Sequence, residues 1–124
     1  MQFDSLDKFG AFFIQNLLDK GLESFFALAN NQLNSPSTEE IRNNYQKFTP
    51  DQQALIEKIV IKVLLSAKHD FLFALQKKYD SKNDIQFLID GVEVAKLSDG
   101  LHGELFSEDG WIKQFSAYAD LIDL

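Results

Sequence analysis

The stretch that decides the fold is TPDQQALIEKIVIKVLL, residues 49–65. Thr49 can cap a helix, and Pro50 fits the first helical position because its ring already fixes the backbone angle that a helix needs. Gln52 follows three residues after the cap, where its side chain can return a hydrogen bond to the backbone of the cap. The sequence therefore predicts a long central helix from Pro50 to about Tyr79.

The middle of this helix, residues 59–65, is apolar on nearly every side, and Lys62 is its one charged residue. Such a helix is normally covered by the rest of the protein on several sides. The stretch is far shorter than the ~20 apolar residues that span a bilayer, so we expect no contact with a membrane. The N-terminus lacks the basic start and long apolar run of a secretory signal, which predicts a cytoplasmic protein.

Two helical segments are predicted before the central helix. Apolar side chains recur every three or four positions over residues 6–33, which is the spacing of one helical face. Gly21 interrupts this pattern, and because glycine costs about 1 kcal/mol relative to alanine inside a helix, we expect a kink or a short break there. Ser37 and Glu40 have the spacing of a capping box, which predicts a short helix over residues 37–47.

A β-hairpin is predicted after the central helix, where the period of the apolar residues changes to two. Ile85, Phe87 and Ile89 would form one apolar face, and Gln86, Leu88 and Asp90 a mixed one, while the Asp90-Gly91 dipeptide favours a two-residue turn. The hairpin would cover residues 85–97 and would place Ile89 opposite Val92. An isolated hairpin is marginally stable in water, so it must pack against the helices.

The remaining segments complete an α+β fold that is mostly helical. Residues 102–106 are a candidate third short strand, and apolar residues at helical spacing predict a C-terminal helix over residues 107–124. The length of 124 residues is that of one domain. The predicted parts of the domain 1–124 are a helical part over 1–84, a hairpin part over 85–106 and the C-terminal helix over 107–124.

Composition excludes several classes of function. There is no cysteine, so disulfide scaffolds, cysteine-based zinc sites and thiol catalysis are excluded. The net charge of −7 argues against a nucleic-acid-binding protein, which needs a basic surface. Residues 85–124 hold eight acids and two bases, so almost all of the excess negative charge lies in the last third of the chain.

The most unusual segment is SDGLHGELFSEDGW, residues 98–111, which combines three glycines, four acids and one of the two histidines of the chain. Glycines allow tight turns, and polar loops on a rigid scaffold are where function tends to concentrate. The candidate binding residues are Asp99, His102, Glu104, Glu108, Asp109 and Trp111.

One interpretation of this segment is a metal site. His102 and Glu104 would lie on the same side of a strand, and His69 on the long helix would supply a second imidazole. Asp99, Glu108 or Asp109 would then complete the ligands. In the simpler interpretation the Asp-Gly pairs are turns and His102 is a packing or surface residue, and on balance we assign no metal and no cofactor.

A second interpretation is acid–base catalysis by His102 with Glu104, or by a pair of carboxylates. No nucleophile motif and no phosphate-binding glycine-rich loop accompanies these residues. We therefore assign no catalytic residue, and a small metal-binding or ligand-binding enzyme remains an alternative.

The third interpretation is a protein-binding face in which Trp111 is an aromatic anchor among acids. Such an arrangement is typical of interface hot spots, and the negative charge would attract a basic partner. The competing interpretation is that Trp111 belongs to the core and that the acids form a solvated surface. A homo-oligomeric protein is a further alternative.

In size, acidity and lack of catalytic motifs, the chain resembles small bacterial immunity proteins and antitoxins. This resemblance implies a non-enzymatic inhibitor that covers a basic toxin or nuclease with its acidic C-terminal third. It transfers no individual functional residues.

Overall fold

The computed structural model describes residues 4–81 and 84–122. Within these residues the chain is mostly helical, with one small antiparallel sheet. The α-helices are α1 (Ser5–Phe13), α2 (Asp19–Ala29), α3 (Glu39–Gln46), α4 (Pro50–Ser81) and α5 (Trp111–Phe115), and the strands are β1 (Leu88–Ile89) and β2 (Val92–Glu93). A π-helical turn, Ile14–Leu18, joins α1 to α2, and 3-10 turns cover Pro36–Thr38, Val94–Leu97, Leu101–Leu105 and Ala119–Leu121. An α+β fold with a long helix is therefore confirmed.

Helix α4 begins as the sequence predicts. The Thr49 N–H donates to Gln52 Oε1 over 2.9 Å, and the Gln52 N–H donates to Thr49 Oγ1 over 3.2 Å. Each side chain therefore satisfies a backbone group that the first helical turn leaves free. The helix then continues for 32 residues, which corresponds to about 48 Å.

The break predicted at Gly21 is wrong, because the irregularity of the first helical segment lies one turn earlier. In the π-helical turn, the Asp19 N–H bonds to the Ile14 carbonyl, five residues back. Gly21 lies inside α2, where an added Cβ would meet Leu64 Cδ2 at 3.2 Å. Glycine therefore lets α2 approach α4 closely, and packing explains its presence better than flexibility does.

The capping box predicted for Ser37 and Glu40 is not formed. The Ser37 hydroxyl instead lies 2.8 Å from the Ser35 hydroxyl, and α3 begins only after a 3-10 turn. Arg42 holds this turn, because its Nε donates to Thr38 Oγ1 over 3.0 Å and its Nη2 donates to the Ser35 carbonyl over 3.2 Å. The short helix itself is present, over a slightly smaller range than expected.

The β-hairpin is confirmed at its turn and is shorter than predicted. Asp90 and Gly91 have φ angles of 54° and 78°, and Ile89 pairs with Val92. Each strand has only two residues, although the Val94 N–H still donates to the Phe87 carbonyl over 3.0 Å. The ladder ends there because the chain enters the 3-10 turn Val94–Leu97.

The third strand predicted at 102–106 is wrong, because Leu101–Leu105 is a 3-10 turn. The Leu101 N–H donates to Gln76 Oε1 on α4 over 3.0 Å, so it has no bond left for a neighbouring strand. The Gly103 N–H closes the turn on the Gly100 carbonyl over 2.9 Å. The first bond attaches the segment to α4, and the second closes it as a turn.

The C-terminal helix predicted over 107–124 is also wrong in extent, since α5 has only five of the described residues of this range, and 123–124 lie outside the described residues. Asp19 on α2 explains where it ends. The Asp19 carboxylate accepts hydrogen bonds from Ser116 Oγ over 2.6 Å and from the Ala117 N–H over 2.9 Å. The Ala117 N–H is thereby withdrawn from helical bonding, and the chain leaves the helix.

The core lies between α1, the π-helical turn, the C-terminal half of α4 and the segments around α5. Trp111 is at its centre, 1% exposed, and packs edge-on against Phe9 with 5.7 Å between ring centroids. Gly10 is required beside it, because an added Cβ would lie 2.5 Å from the indole ring. Over 4–81 and 84–122, no helix combines the length and the apolar character needed to cross a bilayer.

Candidate functional site

Residues 98–110, which we call the acidic loop, lie against the C-terminal half of α4. Gln76, buried on that helix, holds the start of the loop with both ends of its amide. Its Nε2 donates to the Ala95 carbonyl over 3.2 Å, and its Oε1 accepts from the Leu101 N–H over 3.0 Å. Because these bonds are buried, they are strong and hold the loop in one position on the helix.

The other end of the acidic loop is fixed by Gly110 and Trp111. A Cβ at Gly110 would lie 2.1 Å from the Phe106 carbonyl oxygen, so only glycine fits this close approach of the backbone to itself. Trp111 follows at once and is buried in the core. The structure therefore places Trp111 where it anchors the acidic loop to the protein, with almost no surface left to contact a partner.

The four carboxylates of the acidic loop differ in exposure. Asp99, Glu108 and Asp109 are exposed, whereas Glu104 is partly buried and accepts a hydrogen bond from Ser98 Oγ over 2.8 Å. Within the part of the chain that the structure describes, none of the four forms an ion pair. The loop consequently presents negative charge without a neutralising cation of its own.

The structure brings together the two histidines of the chain, which are 33 positions apart in the sequence. The rings of His69 and His102 meet edge to face, with 5.2 Å between their centroids. His69 Nδ1 is 3.1 Å from Asp70 Oδ1. His102 Nδ1 is buried and has no hydrogen-bond partner among residues 4–81 and 84–122.

Aromatic rings surround this histidine pair. The Phe73 ring lies 4.9 Å from that of His102, and the Phe106 ring lies 6.1 Å from that of His69. The pairing of His102 with Glu104 on one strand face does not exist, because this segment is a 3-10 turn. In the described ranges, no group of three or more histidine, aspartate or glutamate side chains is arranged to hold a metal ion.

Sequence reasoning missed a surface on the outer side of α4. Every fourth residue along this helix is apolar and exposed over four turns, and the large members are 45% to 61% exposed. We call this row the apolar ridge, and it consists of Leu55, Ile59, Val63, Ala67 and Phe71. The signal was present in the sequence, because residues 59–65 are apolar on nearly every side. The expectation that neighbours cover this stretch is wrong for the face that carries Ile59 and Val63, whereas residues 60, 61, 64 and 65 are partly or fully buried.

One end of the apolar ridge has a lysine beside it. Lys68 lines a shallow cavity together with Phe13, Leu17, Ala67 and Phe71. Partial burial among these apolar side chains lowers the pKa of the Lys68 ammonium from its ordinary value. The apolar surface therefore continues from the ridge onto the π-helical turn.

Comparison with known proteins finds no match among protein-family models, curated proteins or solved structures.

Proposed function

We propose that this chain is a non-enzymatic protein-binding module that uses the acidic loop to contact a basic partner. The observation that carries this proposal is the set of exposed carboxylates Asp99, Glu108 and Asp109, which have no ion-pair partner in the described structure. A basic surface brought against them would supply the missing cations.

The attachment of the acidic loop to the helix supports the proposal. Gln76 and Trp111 hold its two ends, so little conformational freedom is left to lose when a partner binds. Clustered negative charge also accelerates the encounter with a basic protein, and this acceleration weakens as salt increases. Because Trp111 is buried, we leave it out of the proposed contact surface.

The most concrete form of this function is an immunity-type inhibitor. Its carboxylates would take the place of the phosphates that a basic nuclease or toxin binds, and the body of the loop would cover the active-site cleft. The resemblance in size and acidity to immunity proteins and antitoxins supports this form.

The test is a pull-down from the lysate of the source organism at low salt, with parent and variant proteins as bait. The variant Asp99→Asn/Glu108→Gln/Asp109→Asn removes the three exposed charges and leaves Glu104, which Ser98 holds. We expect the parent to retain one dominant basic protein that a salt step releases. The variant should lose it, because the charge that attracts the partner is gone.

A matched control variant carries the same change in charge outside the acidic loop. Glu39→Gln/Glu40→Gln/Asp51→Asn neutralises three exposed acids on α3 and α4, outside the acidic loop, and should retain the partner. Retention by the loop variant, or equal loss from the control, would contradict a function of the acidic loop.

The histidine pair favours one second candidate, a site for a divalent transition metal. Imidazole is a preferred ligand of zinc, copper and nickel, and metal-bound histidines commonly donate their other ring N–H to a carboxylate. Asp70 lies where it would accept such a bond from His69. His69 and His102 would then supply two ligands and water the others.

Calorimetric titration of the apo protein with Zn²⁺ at pH 7.5 tests this candidate. We expect one site per chain that either His69→Ala or His102→Ala abolishes. His102→Ala must still fold, and far-ultraviolet circular dichroism checks that it does. If the parent takes up no zinc, the metal site is excluded and the protein-binding function is unaffected.

A further inference from the structure

We propose that a second copy of this chain covers the apolar ridge, so that the protein is a homodimer formed by two antiparallel α4 helices. This interface is separate from the acidic loop, and the proposal stands or falls independently of the proposed function.

The first observation is the continuity of the apolar ridge. Its five residues extend over sixteen positions of α4, about 24 Å, without a polar interruption. Single exposed apolar side chains are normal on a protein surface, whereas a continuous row indicates an interaction site. Rows of every fourth residue are also the ridges by which helices most often pack.

The second observation is the total surface of the chain. Its accessible surface is 8087 Å². A monomeric protein of 14.2 kDa has about 6,800 Å², so this chain exposes roughly 1,300 Å² more than a monomer of its mass. A stable dimer of ordinary size buries about 800 Å² on each partner, so the excess is enough for such an interface.

The third observation is the order of charges in the row next to the apolar ridge, and it selects a second copy as the occupant. Lys58, Lys62, Ser66 and Asp70 are all exposed, with the bases at one end and the acid at the other. In an antiparallel dimer, Lys58 of each copy lies opposite Asp70 of the other. The two-fold symmetry makes this pair twice, and Lys62 then faces Ser66. The parallel arrangement would place the lysines against each other.

Sedimentation velocity at protein concentrations of ~1–100 µM tests the interface, because weak homodimers dissociate in this range. We expect the parent to sediment with twice the chain mass at the upper concentrations. Ile59→Glu places a charge in the apolar ridge and should sediment as a monomer throughout. Ile41→Glu is the matched control, since Ile41 on α3 is 60% exposed and Ile59 is 53% exposed, and it should remain dimeric.

A charge exchange tests the antiparallel order. Lys58→Asp places like charges opposite each other at both symmetric positions, and we expect dimerisation to weaken about tenfold. The double variant Lys58→Asp/Asp70→Lys restores opposite charges and should recover the parent affinity. Circular dichroism checks that each variant retains the helical content of the parent.

Three results would overturn the proposal. If the parent is monomeric at the highest concentration, a second copy does not cover the apolar ridge, and a different protein is the remaining candidate. A dimer that Ile59→Glu leaves intact would use another surface. A double variant that dimerises no better than Lys58→Asp alone would exclude the antiparallel pairing of Lys58 with Asp70.

Discussion

The two halves of α4 differ in how the chain covers them. The buried residues of this helix lie from its midpoint onward: Leu65, Leu72, Leu75 and Gln76. The N-terminal half has the more continuous apolar sequence, yet Ile59 and Val63 are largely exposed. Burial along a helix is therefore decided by the neighbours that the chain supplies, and an apolar sequence alone does not secure them.

The neighbours of the two halves explain the difference. The π-helical turn and the segment Leu101–Leu105 pack on the C-terminal half. The N-terminal half meets α3 mainly through polar contacts, in which Gln53 Nε2 donates to the Tyr45 carbonyl over 3.0 Å and the Tyr45 hydroxyl donates to the Gln53 carbonyl over 3.4 Å. The C-terminal half belongs to the core, whereas the N-terminal half reaches the core near the middle of the helix, through Ile61, Leu64 and Leu65.

The largest effect on stability is expected when a buried apolar side chain is shortened, and the comparison uses one such change in each half of α4. Leu72 is 0% exposed, so Leu72→Ala leaves a cavity in the core and should lower the free energy of unfolding by about 3 kcal/mol. Ile59→Ala should change it by less than ~0.5 kcal/mol, because the side chain is already in water. Urea unfolding at ~1 µM protein, where a weak dimer is dissociated, measures both. Similar losses in the two variants would mean that the halves are equally buried.

A smaller effect is expected from the polar contacts of the two halves. Gln76→Leu leaves the buried Ala95 carbonyl and Leu101 N–H without partners, and should cost about 2 kcal/mol. The matched change Gln53→Leu removes a bond that water can replace, and should cost less than ~1 kcal/mol. Thermal unfolding by circular dichroism ranks the two variants, and the reverse ranking would contradict the comparison.

The start of the exposed half depends on its cap. Thr49→Ala removes the hydroxyl that accepts from the Gln52 N–H, and we expect a loss of about 1 kcal/mol. Hydrogen exchange should show faster opening confined to the first turns of α4, because the C-terminal half is held by the core. Uniformly faster exchange along the whole helix would show instead that its two halves open together.

The smallest effect on stability is expected from the ion pair that joins α1 to the hairpin, beside the C-terminal half of α4. The Lys8 ammonium donates to Asp90 Oδ2 over 2.7 Å and lowers the pKa of Asp90 below its usual value of 3.8. A carboxylate with a lowered pKa favours the folded state when ionised, so this contribution is present above pH 3.8 and is lost as the pH falls through the lower, folded value.

Unfolding of Asp90→Asn against pH measures this contribution. The difference in stability between parent and variant should shrink as the pH decreases below 3.8. Asparagine also tolerates the positive φ of this turn position, so the turn is retained. Lys8→Met should give the same pH profile, because it removes the same pair from the other side. If the difference in stability between the parent and Asp90→Asn stays constant with pH, the substitution acts through the turn and not through the ion pair.

Local chemistry made part of this fold predictable. The capping of α4 by Thr49 and Gln52 uses residues three positions apart, and the Asp90-Gly91 turn uses adjacent residues. In both, the atoms that determine the conformation lie within one short segment. A sequence pattern can therefore identify them without knowledge of the rest of the molecule.

The errors of prediction arise where a distant residue decides the conformation. Asp19 ends α5 from 97 positions away, and Gln76 binds the segment after Gly100 from 25 positions away. Neither contact leaves a periodic signal in the sequence. The candidate site shows the same division. The acids of the loop could be identified from the amino-acid composition, whereas the burial of Trp111 depends on residues that are distant in the sequence and could be recognised only in the folded structure.

The π-helical turn Ile14–Leu18 makes the length of the N-terminal segment a constraint of its own. A π turn holds one residue more than an α turn and absorbs it locally, so deletion of that residue would leave a regular α-helix with α2 near its present rotation about the axis. Deletion of one residue from the regular part of α1 is not absorbed in this way and would rotate α2 by about 100° relative to the start of α1. Gly21 would then no longer face Leu64, and Asp19 would no longer reach Ser116 and Ala117. We expect evolution to tolerate a one-residue deletion within the π-helical turn and to eliminate one within α1.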